Sequence, residues 1–142
     1  VGDPTGREGY RWALSIPTRW MDTDAHGHVN NVEYYSYFDT VVTAWLIREA
    51  GFDVRSHDVI GLCVESACAF HAPVEFPDVV DGRLRVGRVG RSSVRYELGL
   101  FGNGRAEPAA TGHFVHVYVG RADRRPTAIP DALRDALRAL EG

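Results

Sequence analysis

Between Val32 and Ala50, apolar residues fall at Tyr35, Phe38, Val41, Val42, Trp45 and Leu46, the spacing of one helix face. Tyr34, Tyr37 and Ile47 widen that face, so a helix here must be wrapped by other structure. Glu33, Ser36, Thr40 and Thr43 form the remaining polar stripe. Asn30 with Glu33 supplies an Asn-led variant of the capping box, and Gly51 a stop just past the end. The rest of the chain offers strands to do the wrapping. Tyr10 to Trp20 alternates with period two, and Pro17 within it predicts an edge position or a bulge. Val59–Phe70, Leu84–Val89, Ser93–Phe101 and Ala109–Val119 read as four further strands with no second long helix between them. Gly87 to Arg91 is a candidate hairpin turn, and Asn103-Gly104 another. From Pro130, a short amphipathic helix places Leu133, Leu137 and Leu140 on one side.

This order predicts an α+β domain, an antiparallel five-stranded sheet wrapped around one long central helix, with a short C-terminal helix. Residues 1–9, polar and Gly-rich, read as a flexible tail, and residues 10–142 as a single domain. A small sheet with one covered face leaves an edge for a second copy, so a homodimer or homotetramer is expected.

A formal net charge of −3 gives no electrostatic case for nucleic acid or an acidic membrane. No apolar run reaches membrane-spanning length. Cys63 and Cys68, four residues between them and no partner pattern nearby, read as two buried thiols in a reducing cytoplasm.

The chemistry concentrates in Asp22-Thr23-Asp24-Ala25-His26-Gly27-His28-Val29-Asn30-Asn31, at a strand-to-helix corner. Orphan backbone N–H groups and the positive end of the helix dipole collect at such a corner, which makes it an anion site. Two metal patterns lie in the same residues. Asp22 to Gly27 followed by Glu33 nearly fits a calcium loop, but His26 offers nitrogen at an oxygen position and the preceding strand excludes an EF-hand. Asp22, Asp24, His26 and His28 would share one face of an extended chain, yet Gly27 and the coming helix impose a bend. No metal is therefore expected. Asp22 is assigned to shaping the turn and Asp24, nearer the helix end, to chemistry.

The stretch Trp20 to Tyr34, with its D-x-D-x-x-G-H-V-N-N-x-x-Y pattern, resembles the signature of the 4-hydroxybenzoyl-CoA thioesterase-like branch of the hotdog superfamily. Phe70-His71-Ala72-Pro73-Val74 and Asp78-Val79-Val80 resemble a later segment of the same family. The resemblance implies hydrolysis of an acyl-CoA thioester without metal or bound cofactor, at a site shared between two subunits. Asp24 matches the family's catalytic carboxylate, acting as general base or nucleophile. The helix start around Asn31 matches the N–H that polarises the thioester carbonyl. His28 also matches the D-x-N-x-H pattern of the related plant acyl-carrier-protein thioesterases, in which His26 replaces the Asn. Glu65 lies near a catalytic Glu position of that plant group and alternates to the face opposite Leu62 and Val64.

Asn30 and His28 are further candidates for orienting water or substrate. Gly27, Tyr34, Arg88, Arg91 and Ser92 are the candidates for holding substrate and CoA, with the arginines on the phosphates. A hydratase pattern fails in spacing, since the residue five after Asp24 is Val29. The alternative to an acyl-CoA thioesterase is a catalytically silent binder of acyl-CoA or acyl carrier on the same fold.

Overall fold

The computed structural model describes residues 6–142. In chain order the elements are β1 (Trp12–Pro17), α1 (Asn31–Arg48), β2 (Val59–Phe70), β3 (Val79–Val89), β4 (Ser93–Phe101), β5 (Ala110–Gly120) and α2 (Asp131–Arg138). The strands form one antiparallel sheet in the order β1-β3-β4-β5-β2. The long helix lies across one face, the expected α+β arrangement.

Period-two patterning decides which face meets α1. Val80, Leu84 and Val86 of β3 and Val94, Tyr96, Leu98 and Leu100 of β4 are buried in one cluster with Phe38, Val41, Val42 and Trp45 of the helix. The opposite face is ionic: Arg85 and Arg95 both bond Glu97, and Arg83 and Arg7 both bond Asp81. Two glycines set how closely the helix approaches the sheet. A Cβ on Gly82 would lie 2.6 Å from the Val41 side chain, and one on Gly112 would lie 2.2 Å from the Ala67 carbonyl oxygen and 2.6 Å from the Phe38 ring. α2 closes the end of the core with Leu133 and Leu137, followed by Leu140, all buried.

Several sequence expectations shift. α1 begins at Asn31, with the Asn30 side chain accepting from the Val32 N–H at 3.0 Å, while Glu33 leans toward Arg19 rather than completing a capping box. Its buried face holds Tyr34 and Tyr37, whereas Tyr35 and Ile47 are 38% exposed in the single chain. β1 is shorter than Tyr10 to Trp20, because the chain turns at Trp20–Asp22. It is an edge strand, and Pro17 sits at its end. β3 starts at Val79, five residues before Leu84, because Val79 to Gly82 pair with Pro17 to Leu14 of the distant β1. Gly87 is a bulge inside β3, where the register shifts between Val86 and Arg88, and the hairpin turn follows at Gly90. Asn103-Gly104 does form a turn, closed by Arg105 N–H to Gly102 C=O, but within a longer loop.

Of the expected flexible tail, Val1 to Thr5 lie outside the described residues. Arg7 is anchored: its Nε bonds Asp81 at 2.8 Å and its guanidinium lies 4.6 Å from the Phe101 ring centre. Cys63 is exposed and Cys68 only partly buried, because α1 does not cover the edge strand β2 that carries them. Among the described residues, no helix is long and apolar enough to cross a membrane.

Candidate active site

The turn that precedes α1 is built around Asp22. Its side chain is fully buried and accepts four bonds, from Arg19 N at 2.9 Å, Arg19 Nε at 2.9 Å, Arg19 Nη2 at 2.8 Å and Tyr37 Oη at 2.8 Å. Burial pushes the Asp22 carboxyl up, but the Arg19 and Tyr37 hydrogen bonds outweigh it and hold the group below the usual carboxylate value. Burial and the bond to Asp22 push the Tyr37 phenol far up, so it stays a donor. The Asp22 carbonyl also accepts from Asn30 N–H at 2.8 Å, which ties the turn to the helix start.

Beyond Asp22 the chain doubles back. Thr23 and Val29 form an antiparallel bridge, and Asp24 N–H bonds the His28 carbonyl at 3.0 Å. Gly27 closes this loop at φ 85°, a left-handed conformation that a side chain resists. The bend takes Asp22 into the core and leaves Asp24 partly exposed, so Asp22 is parted from Asp24, His26 and His28, which line one cleft. Among the described residues, no group of three or more His, Cys, Asp or Glu side chains is arranged to hold a metal ion.

Asp24 lines an open cleft of about 400 Å³ with His28, Asn31, Tyr34, Phe70 and His71. Its Oδ1 accepts from His26 N–H at 2.9 Å, and its Oδ2 has no hydrogen bond to a described residue. At the α1 start, Val32 N–H is taken by the Asn30 side chain and Glu33 N–H by the Asn30 carbonyl. The Asn31 N–H makes no hydrogen bond to a described residue, so it is a free donor at the positive end of the helix. Tyr34 packs against Phe70 with ring centres 5.1 Å apart, and burial pushes its phenol up. His71 bonds Thr111 Oγ1 through Nε2 at 2.9 Å.

The cleft thus gathers Asp24, His28, Asn31 and Tyr34, while Asn30 is spent on capping and Gly27 on the bend. Sequence reasoning missed His71 as a cleft residue and Tyr37 as the anchor of Asp22. The Phe70 to Pro73 segment carried the signal for His71; a tyrosine within a helix's apolar arc was the signal for Tyr37. Glu65 lies elsewhere. The bulge between Cys63 and Glu65 reverses the alternation of β2 and puts Glu65 on the same face as Leu62, away from α1, where it bonds His113 Nε2 at 2.7 Å. Arg88, Arg91 and Ser92 occupy the β3–β4 hairpin at the opposite end of the sheet, roughly 30 Å away along β3. That hairpin is pinned through its backbone: Ser92 C=O accepts from Tyr118 N–H, and Arg91 C=O from Ile129 N–H and Arg134 Nη2.

Residues 18–137 match the thioesterase-like superfamily, a span that includes the Asp24 turn, α1 and all of the later strands. The chain belongs to the thioesterase-like superfamily. The PA5185 protein of Pseudomonas aeruginosa strain PAO1 is 52% identical, with 96% of each chain covered and a TM-score of 0.93. A Thermus thermophilus thioesterase solved with coenzyme A and zinc is 30% identical, covering 95% of this chain and 98% of that one, with a TM-score of 0.77. BH1999, a gentisyl-coenzyme A thioesterase, is 28% identical over 89% of this chain and 99% of that one, with a TM-score of 0.78. A search of curated proteins finds no match. As a superfamily member the chain is a thioester hydrolase with the hotdog fold, the sheet wrapping α1 as the bun wraps the sausage.

Proposed function

We propose that this thioesterase hydrolyses acyl-CoA to free acid and CoA in the Asp24 cleft. One observation carries the reading: a carboxylate with a free Oδ2 shares a cleft with the free first-turn N–H of Asn31. Attack on a thioester carbonyl builds negative charge on its oxygen, and a preorganised backbone donor stabilises that charge by about 10²–10³ in rate. Asp24 either takes a proton from the attacking water or attacks the carbonyl carbon itself, and CoA leaves as the thiolate. His28 lines the same cleft and is assigned to orienting water, and Tyr34 with Phe70 to forming a wall for the acyl group.

The unit that works is an assembly of at least two copies. β2 is an unpaired edge strand, and it exposes Leu62 at 37% and Val64 at 61%. Full-length antiparallel pairing of Val59–Phe70 with its own copy sets the Val59 end of one strand beside the Phe70 end of the other. The Arg88–Ser92 hairpin, on the Val59 side of one copy, then approaches the Asp24 cleft of its partner. Arg88 and Arg91 are both exposed and available to the CoA phosphates. The larger form is a homotetramer made from two such dimers. A cytoplasmic setting fits the two free thiols.

The test is turnover of an acyl-CoA panel with detection of released thiol. Asp24→Asn keeps the shape of the side chain and is expected to cut kcat about 10²-fold or more with KM nearly unchanged. Near wild-type turnover by this variant removes Asp24 from the chemistry. Tight binding of acyl-CoA by the wild type without turnover makes the protein a silent acyl binder.

A further inference from the structure

Arg19 stands between two carboxylates at the start of α1. Its Nε and Nη2 bond Asp22 Oδ1 at 2.9 and 2.8 Å, and Nη2 also lies 3.7 Å from Glu33 Oε2. Asp22 is fully buried yet held ionised, and Glu33 is the third residue of the helix. The Asp22 carbonyl accepts the Asn30 N–H at 2.8 Å, which puts its carboxylate within roughly 10 Å of the Asn31 N–H. Glu33 lies in the same first turn as Asn31. Both negative charges are therefore close enough to the free donor to act on it through weakly screened space.

That placement works against an anion site. A helix start draws anions through its free N–H groups and the positive end of its dipole, which amounts to about half an elementary charge. One uncompensated carboxylate outweighs that partial charge, and two outweigh it further. Asp22 cannot be spared, because it holds the turn, and Glu33 favours the helix at this end. Among the described residues, Arg19 is the one cation paired with either carboxylate. Its side chain is 60% exposed, so it contributes charge and hydrogen bonds rather than packing.

We propose that Arg19 is a positioning residue for hydrolysis: it offsets the charges of Asp22 and Glu33, so that the Asn31 N–H can receive the negative charge that builds on the thioester oxygen. The inference rests on the acyl-CoA reading above. Arg19 acts through these two carboxylates and does not touch the substrate.

Arg19→Gln keeps a donor for Asp22 and removes the charge. It is expected to cut kcat on acyl-CoA about tenfold, with KM changed by less than about twofold. Arg19→Lys keeps the charge but not the planar fork, and is expected to retain at least about half of the wild-type kcat. Both variants lose bonds to Asp22 and melt lower, so a purely structural role would lower kcat in both alike. Glu33→Gln separates rate from stability. It removes an acidic side chain from the first turn and so lowers Tm slightly, yet added to Arg19→Gln it is expected to recover kcat about threefold. Alone, in a chain that keeps Arg19, it is expected to leave kcat at or above the wild-type level, which decides the matter even if Arg19→Gln does not fold. A last arm needs no turnover. In Asp24→Asn, where no charged carboxylate competes for the donor, acetate is titrated against the Asn31 amide signal by NMR. It is expected to bind about fivefold more weakly once Arg19→Gln is added.

A wild-type kcat in Arg19→Gln overturns the proposal, as does a loss of the same size in Arg19→Lys. So does a kcat that falls together with Tm in Glu33→Gln, or acetate binding that Arg19→Gln leaves unmoved. A raised KM with kcat kept in Arg19→Gln also overturns it, because Arg19 then touches the substrate. If no acyl-CoA is turned over at all, the hydrolase reading fails on its own, and the acetate titration still decides the role of Arg19.

Discussion

Asp22→Asn keeps the size of the side chain but replaces one acceptor oxygen with an amide NH₂. The wild-type carboxylate accepts from three Arg19 nitrogens and from Tyr37 Oη. An amide has one acceptor oxygen, so the Arg19 and Tyr37 donors cannot all be served. Arg19 is 60% exposed and turns to water at little cost. Tyr37 is buried, so a phenol without its charged acceptor costs about 1.5–3 kcal/mol. For a chain of 142 residues, an unfolding entropy of about 2.1 cal/mol/K per residue sums to about 0.3 kcal/mol/K, and Tm falls by roughly 5–10 °C. The pH dependence has a definite sign. The folded Asp22 carboxyl is held below its unfolded value of 3.8, so its contribution is present above that value and lost as pH falls through the lower folded one. The Tm gap between wild type and variant is therefore constant from about pH 5 to 8 and closes below about pH 4. Thermal melts followed by circular dichroism, at one fixed protomer concentration, measure it. A drop under about 2 °C at neutral pH, or a gap undiminished in acid, refutes the assignment of Asp22 as the anchor of the turn.

Arg88→Ala with Arg91→Ala is expected to raise KM for acyl-CoA and flatten its salt dependence, with kcat little changed; an unchanged KM means that the hairpin does not hold the CoA phosphates. Dialysis against a strong chelator is expected to leave turnover and Tm as they were, and a loss restored by zinc or calcium would overturn the metal-free reading. Gly112→Ala drives a Cβ to within 2.2 Å of the Ala67 carbonyl oxygen and against Phe38, and is expected to cost about 3 kcal/mol or more; a melt equal to the wild type would mean that α1 rides higher on the sheet.

The elements and their order were legible in the sequence because their signals are local. Period-two alternation marked β4, the helical spacing marked α1, and Asn30 and Gly51 marked its ends. The density of acid, imidazole and amide groups at Asp22 to Asn31 marked the site, since few sequences need so many at one corner. The tertiary structure decided what each group does. Asp22 and Asp24 are two residues apart and chemically identical; the Gly27 bend and Tyr37, fifteen residues downstream, bury one and expose the other. The facing of Glu65 turned on a bulge, which leaves no period of its own in the sequence. The first residues of β3 were missed because their partner strand lies some sixty residues earlier, where no local pattern reaches. Local spacing sets which elements form; pairing and packing between distant residues set which side chains are left free to act.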